Sequence, residues 1–303
     1  MSRCVHYIWR ETLTMDHVNG LDMAPLFAPR DYEAPSLFTP QSLLREARRQ
    51  KGLPEGRVPA ICVLDPDGDL VDFLQASGRA RRHPTWACYH TVLETFVQDE
   101  VEYGIIGRVV GAPFAVLVAE ELFASGCQLL ISITSAGQIL PVDQPLYVIL
   151  IDKALRDEGT SYHYLPPSPY SYLQPHLQAM MSAYWDHGSV PLHIGASWTT
   201  DAPFRETEAL IAQHSTEGIL AVEMEAAALY ALASARQYQI ICFAHVTNHM
   251  GQTEGDFEKG EASGSETALS IIRQTARAWK QRETKPAQPD NLTGVDFEPS
   301  RLS

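Results

Sequence analysis

The sequence is poor in positively charged residues. It carries 23 Lys and Arg side chains against 37 Asp and Glu in 303 residues, so its formal charge at pH 7 is −14. Proteins that bind nucleic acid need a basic surface to neutralise phosphate groups. The charge balance therefore argues against a nucleic-acid partner and favours a protein that acts on small molecules.

Cysteine is also scarce, and long apolar runs are missing. The five cysteines are far apart and form no C-x-x-C pair; they are Cys4, Cys62, Cys88, Cys127 and Cys242. This pattern predicts reduced thiols rather than a disulfide framework or a metal site. No stretch reaches the ~18 consecutive apolar residues of a transmembrane helix, and residues 1–11 do not resemble a signal peptide. We therefore expect a cytoplasmic protein with no membrane partner.

From residue 59 onwards, short apolar segments alternate with longer helical patterns. The apolar segments predict strands at Pro59–Leu64, Val101–Val110, Gln128–Thr134, Leu146–Asp152, Leu192–Thr199, Gly218–Val222 and Gln239–Val246. The other patterns predict helices at Gln41–Arg49, Gly111–Gly126, Tyr172–Asp186, Phe204–Gln213, Glu223–Arg236 and Ser265–Lys280. Such alternation indicates a single α/β domain with a central mixed β-sheet flanked by helices. We place this domain at 58–281, after an N-terminal arm at 1–57 and before a polar C-terminal tail at 282–303.

Small, polar or acidic residues gather at four predicted strand ends. These ends are Ser135–Gln138, Thr199–Phe204, Ala221–Glu225 and Val246–His249. In α/β folds, ligands bind where strands end and helices begin. Glu223 and Glu225 stand where a strand leads into a helix, so one can cap the helix while the other accepts hydrogen bonds from ligand hydroxyls.

Four motifs together resemble those of one family. They are VEMEAAAL (222–229), RDEGTSYHY (156–164), SAGQI (135–139) and WTTDAPFRET (198–207). They are similar to motifs of the nucleoside phosphorylase and nucleosidase superfamily, and RDEGTSYHY is similar to the segment of its uridine-phosphorylase-like members. The resemblance implies a nucleoside phosphorylase-like α/β domain in a homo-oligomer. It also implies that a nucleoside is cleaved at its N-glycosidic bond by phosphate or by water, with phosphate as a co-substrate in the first case and with no cofactor or metal.

The resemblance further implies roles around the sugar. Met224 and Glu225 fall on the ribose-binding positions, where Glu225 would accept hydrogen bonds from the 2′- and 3′-hydroxyls. Ser135 and Gly137 fall on a loop that faces the ribose, the phosphate or the base. We expect Ser135 to bind phosphate and Gly137 to contact the base.

Asn248 falls on the position that decides how the base is handled. Adenine-handling relatives have an acid there, whereas an amide supplies no proton but can hydrogen-bond N7 and O6 of a 6-oxopurine. The trimeric purine nucleoside phosphorylases resemble this chain in having Asn at this position and a Glu in an F-E-T segment that holds N1–H of the base. The F-R-E-T segment here puts Glu206 at the matching place. We therefore predict Asn248 and Glu206 as the catalytic residues, with Phe204 stacked on the base.

Phosphate binding has the weakest support in the sequence. Hexameric and uridine-type relatives usually have a G-D-P-x-R loop after the first strand and an Arg before the [ST]-x-G loop. This chain has the acidic turn Asp65–Asp69 and Ser132 at those places, and carboxylates there repel phosphate. The trimeric branch uses an Arg in a G-R pair, which Arg108 and the glycine before it resemble. Arg108 is thus the predicted phosphate ligand beside Ser135, and the basic cluster at 78–83 is a second candidate.

The sequence thus predicts a nucleoside phosphorylase, a pentosyltransferase of nucleotide salvage. It would cleave a 6-oxopurine nucleoside with phosphate to give free base and ribose 1-phosphate. Three alternatives stay open. They are a uridine phosphorylase, a phosphate-independent nucleosidase, and a noncatalytic nucleoside-binding protein that kept the ribose site.

Overall fold

The computed structural model describes residues 24–142, 147–188, 190–248, 259 and 261–284. The first 23 residues of the predicted arm and the predicted tail from residue 285 lie outside the described residues, as do Cys4 and His249. Within the described ranges, no helix combines the length and apolar character needed to cross a membrane. The four described cysteines are buried and free.

The described residues form helices that alternate with strands. The helices are α1 Pro40–Lys51, α2 Asp69–Ala76, α3 Ala112–Ala124, α4 Pro175–Tyr184, α5 Glu208–Thr216, α6 Ala226–Arg236 and α7 Ser265–Thr284. The strands are β1 Ile61–Asp65, β2 Arg81–Arg82, β3 Glu94–Gln98, β4 Val101–Gly107, β5 Leu129–Gln138, β6 Tyr147–Asp157, β7 Tyr170–Tyr172, β8 Leu192–Thr200, β9 Ile219–Glu223 and β10 Gln239–Asn248.

The centre of the molecule is a closed ring of five strands. β5 pairs with β10, β10 with β6, β6 with β8, β8 with β9, and β9 again with β5. From β5 the sheet also extends outward through β1, β4, β3 and β2. Parallel and antiparallel pairs both occur. Helices α2, α5 and α6 contact strands of the sheet, while α3 packs on α6 and α4 packs on α7. The predicted single α/β domain with a mixed sheet flanked by helices is confirmed.

Burial explains why the strands could be found from sequence. All five residues of β1 and nine of the ten residues of β5 are buried, because helices or strands cover both of their faces. Helix α6 is buried from Ala226 to Ala233, on every side. Its small alanine side chains let it lie close to β6 and β7.

The structure corrects several predicted boundaries. β5 does not stop at Thr134 but runs on to Gln138, because its last residues pair with β9 on one side and β10 on the other. α6 begins at Ala226 rather than Glu223, because Glu223 is still a strand residue. The helix expected from Phe204 begins at Glu208 instead. α2 and the β2–β3 hairpin were not predicted, since acidic and basic residues break their apolar patterns.

The helix predicted in the N-terminal region is present as α1. The Thr39 side chain caps it by accepting a hydrogen bond from the Ser42 N–H, and Gly52 ends it in the left-handed conformation. Its buried Leu44 and Ala47 pack against Ala87, so this part of the chain lies on the main body. The boundary of the arm at residue 57 stays a prediction.

Candidate active site

The segments predicted to form the site meet around Gly137. This residue lies on β5 between Val222 of β9 and Asn248 of β10, which are its register partners on the two sides. The pairing brings the carboxyl ends of β5, β9 and β10 together. Three of the four predicted site segments are therefore neighbours in space.

Glu223 is a structural group at this junction. Its Oε1 accepts hydrogen bonds from the Ser197 hydroxyl at 2.9 Å and the Thr199 hydroxyl at 2.5 Å. Its Oε2 accepts from the backbone N–H groups of Glu225 and Ala226, both at 2.7 Å. With both oxygens occupied, Glu223 ties β8 to the start of α6 and has no acceptor left for a ligand.

Glu225 is placed differently, although it is only two residues away. Its Oε1 accepts the Gly111 N–H at 2.7 Å. No donor among the described residues makes a hydrogen bond of normal geometry with its buried Oε2, although the Thr134 side chain is close enough to interact with the carboxyl group. Buried polar atoms are nearly always paired in a working protein, so this oxygen is poised for a donor from a bound molecule. Met224, between the two glutamates, is half-buried.

The surroundings of Glu225 change its acidity. Burial, followed by the neighbouring Glu223 carboxylate, raises the pKa of Glu225 to about 8. A carboxyl group with such a pKa in a cleft is a candidate functional group. It gains most from hydroxyl donors that would stabilise its ionised form.

Asn248 sits where the regular pairing of β10 breaks. The register between β5 and β10 shifts between Val246 and Asn248, which is an irregularity that redirects side chains near binding sites. Asn248 is buried, and its Nδ2 donates to the Thr247 hydroxyl at 3.2 Å. The amide is thus held at the end of β10, beside Gly137.

Ser135 faces an acidic loop rather than open solvent. Both of its donors bind Oδ2 of Asp67, the backbone N–H at 2.9 Å and the hydroxyl at 2.5 Å. The ammonium group of Lys259 lies 3.2 Å from the same oxygen and 2.5 Å from Oδ2 of Asp69. Burial lowers the pKa of Lys259, but its contacts with Asp69 and Asp67 outweigh this and hold the pKa above its ordinary value.

Arg108 contacts the same acidic loop through its backbone and its side chain. Its backbone is in the left-handed region with φ 61°, and its N–H donates to the carbonyl of Asp65 at 2.9 Å. Non-glycine residues in this region often mark functional turns. The guanidinium binds both carboxylate oxygens of Asp72, at 2.8 and 2.6 Å, and remains largely exposed. Its positive charge is thus already paired.

The segment after β8 carries Phe204 and Glu206. The Phe204 side chain is fully exposed, at 100%. Glu206 precedes α5, and burial raises its pKa to about 7. The described hydrogen bonds do not place Glu206 against Asn248 or Glu225. The predicted pairing of Glu206 and Asn248 on one base therefore stays a prediction.

The family model of the phosphorylase superfamily matches residues 60–277, well over half of the chain. The chain belongs to the phosphorylase superfamily.

Curated relatives in this superfamily include two enzymes named for purine nucleosides. A DeoD-type purine nucleoside phosphorylase from Jannaschia sp. (strain CCS1) is 30% identical over 154 residues, 48% of this chain. That alignment spans 63% of the Jannaschia protein, which is less than two thirds of it. A guanosine phosphorylase from Halorubrum lacusprofundi is 26% identical over 181 residues, covering 59% of this chain and 68% of that protein.

Solved structures of the superfamily share the fold. Uridine phosphorylase from Vibrio fischeri aligns with a TM-score of 0.64 at 19% identity, over 77% of this chain and 99% of that one. Purine nucleoside phosphorylase from Toxoplasma gondii, in complex with immucillin-H, aligns with a TM-score of 0.61 at 20% identity, over 76% and 94%. At such identities the likeness shows the architecture and leaves substrate choice to the site itself.

The superfamily motif RDEGTSYHY folds into a self-supporting loop. The buried Arg156 donates to the hydroxyls of Ser161 and Ser168 and to the carbonyls of Leu165 and Pro166. Its guanidinium also lies over the Tyr162 ring, 4.3 Å from the centroid. The guanidinium of Arg156 binds groups of its own loop. The motif therefore indicates a structural role more than a choice of substrate.

Two cavities are candidates for the site. The larger, about 1040 Å³, lies between the N-terminal segment, α3 and the RDEGTSYHY loop, and neither Ser135, Glu225 nor Asn248 lines it. The smaller, about 30 Å³, is lined by Asp67, Ser135 and Lys259 among others. Neither Glu225 nor Asn248 lines the smaller cavity, but Ser135 does, and so do Asp67 and Thr134, which interact with Glu225. We therefore place the site beside the smaller cavity.

Sequence reasoning missed three participants of this site. The Gly111 N–H contributes through its backbone, and its residue type gave no hint of the Glu225 contact. Asp67 was noticed only as a repulsive charge, and Lys259 belongs to no motif. The basic cluster at 78–83 reaches the exposed edge strand β2, three strands away from β1. Among the described residues, no group of three His, Cys, Asp or Glu is arranged to hold a metal ion.

Proposed function

We propose that this protein is a nucleoside phosphorylase that cleaves 6-oxopurine nucleosides with phosphate, giving the free base and ribose 1-phosphate. The observation that carries the proposal is the buried Oε2 of Glu225, which no donor among the described residues meets with normal hydrogen-bond geometry. It lies at a junction that also holds Gly137 and Asn248. A sugar with two adjacent hydroxyls supplies the missing donors.

The sugar and the base take separate parts of the site. Glu225 accepts hydrogen bonds from the ribose 2′- and 3′-hydroxyls, and Met224 packs against the sugar. Asn248 hydrogen-bonds N7 and O6 of the base, Glu206 accepts from N1–H, and Phe204 and Gly137 contact the ring. Glu206 and Glu225 accept through both carboxyl oxygens, and most strongly, when they are ionised.

In the reaction, a phosphate oxygen forms a bond to C1′ while the bond from C1′ to the base nitrogen breaks. The electron pair of that bond moves onto the base, and Asn248 stabilises the negative charge by donating a hydrogen bond. Groups fixed in place before the reaction stabilise such developing charge most effectively. Ser135 and Arg108 bind the attacking phosphate.

The contact between Asp67 and Ser135 favours a second candidate, a phosphate-independent nucleosidase. Asp67 already accepts both donors of Ser135, so the loop holds a carboxylate where a phosphate ligand is proposed. In this candidate, water attacks C1′ and free ribose is the product. The uridine-type alternative has less support, since Arg156 of its motif is engaged within its own loop.

One assay separates these functions. Purified protein is incubated with inosine, guanosine, uridine or adenosine, with and without phosphate, and the free base is measured. We expect hypoxanthine and guanine to be released only when phosphate is present. Release without phosphate would establish the nucleosidase, and uracil release alone would contradict the roles of Glu206 and Asn248. Binding of nucleosides without any release would indicate a noncatalytic protein.

We also propose that the protein acts as a homo-oligomer. Leu37 and Phe38 in the N-terminal segment are exposed by 103% and 71%. Covering large apolar side chains is favourable, and adjacent exposed ones often mark an interface. Sedimentation analysis is expected to show a species larger than one chain, whereas a monomer at all concentrations would contradict this.

A further inference from the structure

We propose that the Asp67 carboxylate is a built-in competitor of phosphate, and that Lys259 is the cation that binds whichever of the two anions occupies the site. The inference rests on the proposed phosphorylase function and names a new ligand, Lys259, and a new regulatory group, Asp67, for its phosphate site. It concerns the contacts of Asp67, Ser135 and Lys259, which we call the anion site.

The anion site has the donors that an oxyanion needs. A backbone N–H, a hydroxyl and an ammonium group converge on one oxygen, Oδ2 of Asp67, at 2.9, 2.5 and 3.2 Å. These donors come from β5 and from a segment more than a hundred residues later in the chain. Charge-assisted donors of this kind bind phosphate as well as carboxylate. The structure therefore holds a formed anion site whose occupant is a side chain of the protein itself.

The donors of Ser135 decide between the two occupants. Both of them, the backbone N–H and the hydroxyl, already bind Asp67, and the adjoining cavity is small, about 30 Å³. Phosphate must displace that carboxylate to reach Ser135.

Asp67 is placed so that it can leave. It lies in the turn between β1 and α2, and its side chain is 33% exposed. Gly68, the next residue, has φ +88°, a conformation that glycine adopts without cost. A rotation of the Asp67 side chain toward solvent therefore frees Ser135 without moving the strand.

Lys259 keeps a partner when Asp67 leaves. Its ammonium group is shared between Asp67 and Asp69, and the contact with Asp69 is the shorter one, at 2.5 Å. Asp69 can therefore hold Lys259 in place while the ammonium group turns its remaining donors to phosphate. With Asp67 gone, the cation at the site is opposed by one carboxylate fewer.

The test is phosphate binding measured by titration calorimetry on the full-length protein. Asp67→Ala is expected to bind inorganic phosphate about tenfold more tightly than the wild type, because the competing carboxylate is removed. Lys259→Gln is expected to bind it about tenfold more weakly, because a charge-assisted contact is lost. Circular dichroism spectra confirm that each variant is folded.

A matched control separates local competition from the change of net charge. Asp99→Asn also removes one negative charge, but Asp99 pairs with Arg277 at 2.5 Å on a different surface, and Asn tolerates its φ of 50°. This control is expected to leave phosphate affinity at the wild-type value. Equal affinities in the wild type and Asp67→Ala would overturn the inference, and so would an equal gain in Asp99→Asn.

Phosphate binding and nucleoside conversion are measured separately, so the anion site and the proposed function can each be contradicted without the other. If Asp67→Ala binds phosphate more tightly but neither protein converts nucleosides, the anion site is correct and the proposed function is wrong. If both proteins carry out phosphorolysis with the same phosphate affinity and the same KM for phosphate, the function is correct and the inference about Asp67 is wrong.

Discussion

Two glutamates two residues apart differ in their hydrogen bonding. Within the described part of the chain, Glu223 accepts four hydrogen bonds, whereas Glu225 accepts one at its Oε1 and no donor meets its buried Oε2 with normal geometry. The sequence indicated that one would cap the helix and the other would bind a ligand. It could not show how the donors are divided, because Ser197 and Thr199 come from another strand.

Replacing each glutamate by glutamine tests this division. Glu225→Gln is expected to lower kcat/KM for the nucleoside about 10- to 100-fold, since hydrogen bonds from ribose to a charged acceptor are lost. Glu223→Gln is expected instead to destabilise the fold by about 2–4 kcal/mol, because an amide nitrogen then faces buried donors. Steady-state kinetics and thermal unfolding of both variants are the measurements. Equal kinetic losses in two equally stable variants would contradict the assignment.

The expected pH dependence of activity follows from the raised pKa values of two carboxyl groups. The pKa is about 7 for Glu206 and about 8 for Glu225, both raised first of all by burial. Each accepts hydrogen bonds from the substrate most strongly after it loses its proton, so kcat/KM should rise from about pH 6 to about pH 9. In Glu206→Gln the step near pH 7 should vanish and the step near pH 8 should remain. A pH profile that is flat over this range would refute the proposed acceptor roles.

At the level of elements, the turn between β4 and α3 holds Glu225, the proposed ribose ligand, through Gly111. Gly111 caps α3 with φ 91° and ψ 147°, a region open to glycine, and donates its N–H to Glu225. A Cβ at this position would meet no atom within 4 Å. Any effect of Gly111→Ala must therefore come from backbone strain and not from a clash.

Gly111→Ala should cost about 1–3 kcal/mol of stability and raise KM for the nucleoside, because the strained backbone shifts its N–H away from Glu225. Gly218→Ala is the control. Gly218 also has a positive φ, +78°, with no atom near the added Cβ, and it lies at the opposite end of β9 from Glu223. The control should lose stability without a change in KM. Identical kinetics in the two variants would contradict the role given to the turn.

Most helices and strands could be predicted from the sequence. Strands β1, β5 and β10 and the first five residues of β6 are almost entirely buried on both faces, and much of their sequence is apolar, which makes them easy to predict. The last four residues of β5 were not predicted as strand, because Ser135–Gln138 has the composition of a loop. It is a strand because β9 and β10 both pair with it, and such tertiary pairing leaves no local signal.

The candidate site could be predicted only in part from the sequence, because tertiary contacts leave no local signal. Gly137, Met224, Glu225 and Asn248 lie on strand ends, and the sheet brings these ends together as expected. The contact between Asp67 and Ser135 depends on how a turn folds back over the sheet, and Lys259 reaches it from a distant segment. No spacing in the sequence encodes such contacts.

For the molecule as a whole, the effect of the net charge of −14 depends on where the charged residues lie. The loop around the anion site carries Asp65, Asp67, Asp69 and Asp72 against Arg108 and Lys259. Phosphate must approach this excess of negative charge before it reaches its ligands. Long-range repulsion of this kind slows and weakens the binding of an anion.

On the proposed function, salt should therefore help the protein to bind phosphate. Raising the ionic strength from about 0.01 M to about 0.1 M shortens the range of electrostatic interactions from ~30 Å to ~10 Å. KM for phosphate should fall by about twofold over this range, while KM for the uncharged nucleoside should not change. The control is the same series with the nucleoside varied at saturating phosphate. A phosphate KM that rises steadily with salt would show that attraction dominates at the site.

The central claim is that phosphate attacks C1′ of a nucleoside whose ribose is held by Glu225. The most direct measurement is phosphorus NMR of the wild-type protein with inosine and inorganic phosphate. The account predicts a growing signal of ribose 1-phosphate that matches the hypoxanthine released, and a signal strongly reduced in Glu225→Gln. Hypoxanthine together with free ribose and no loss of inorganic phosphate would contradict it.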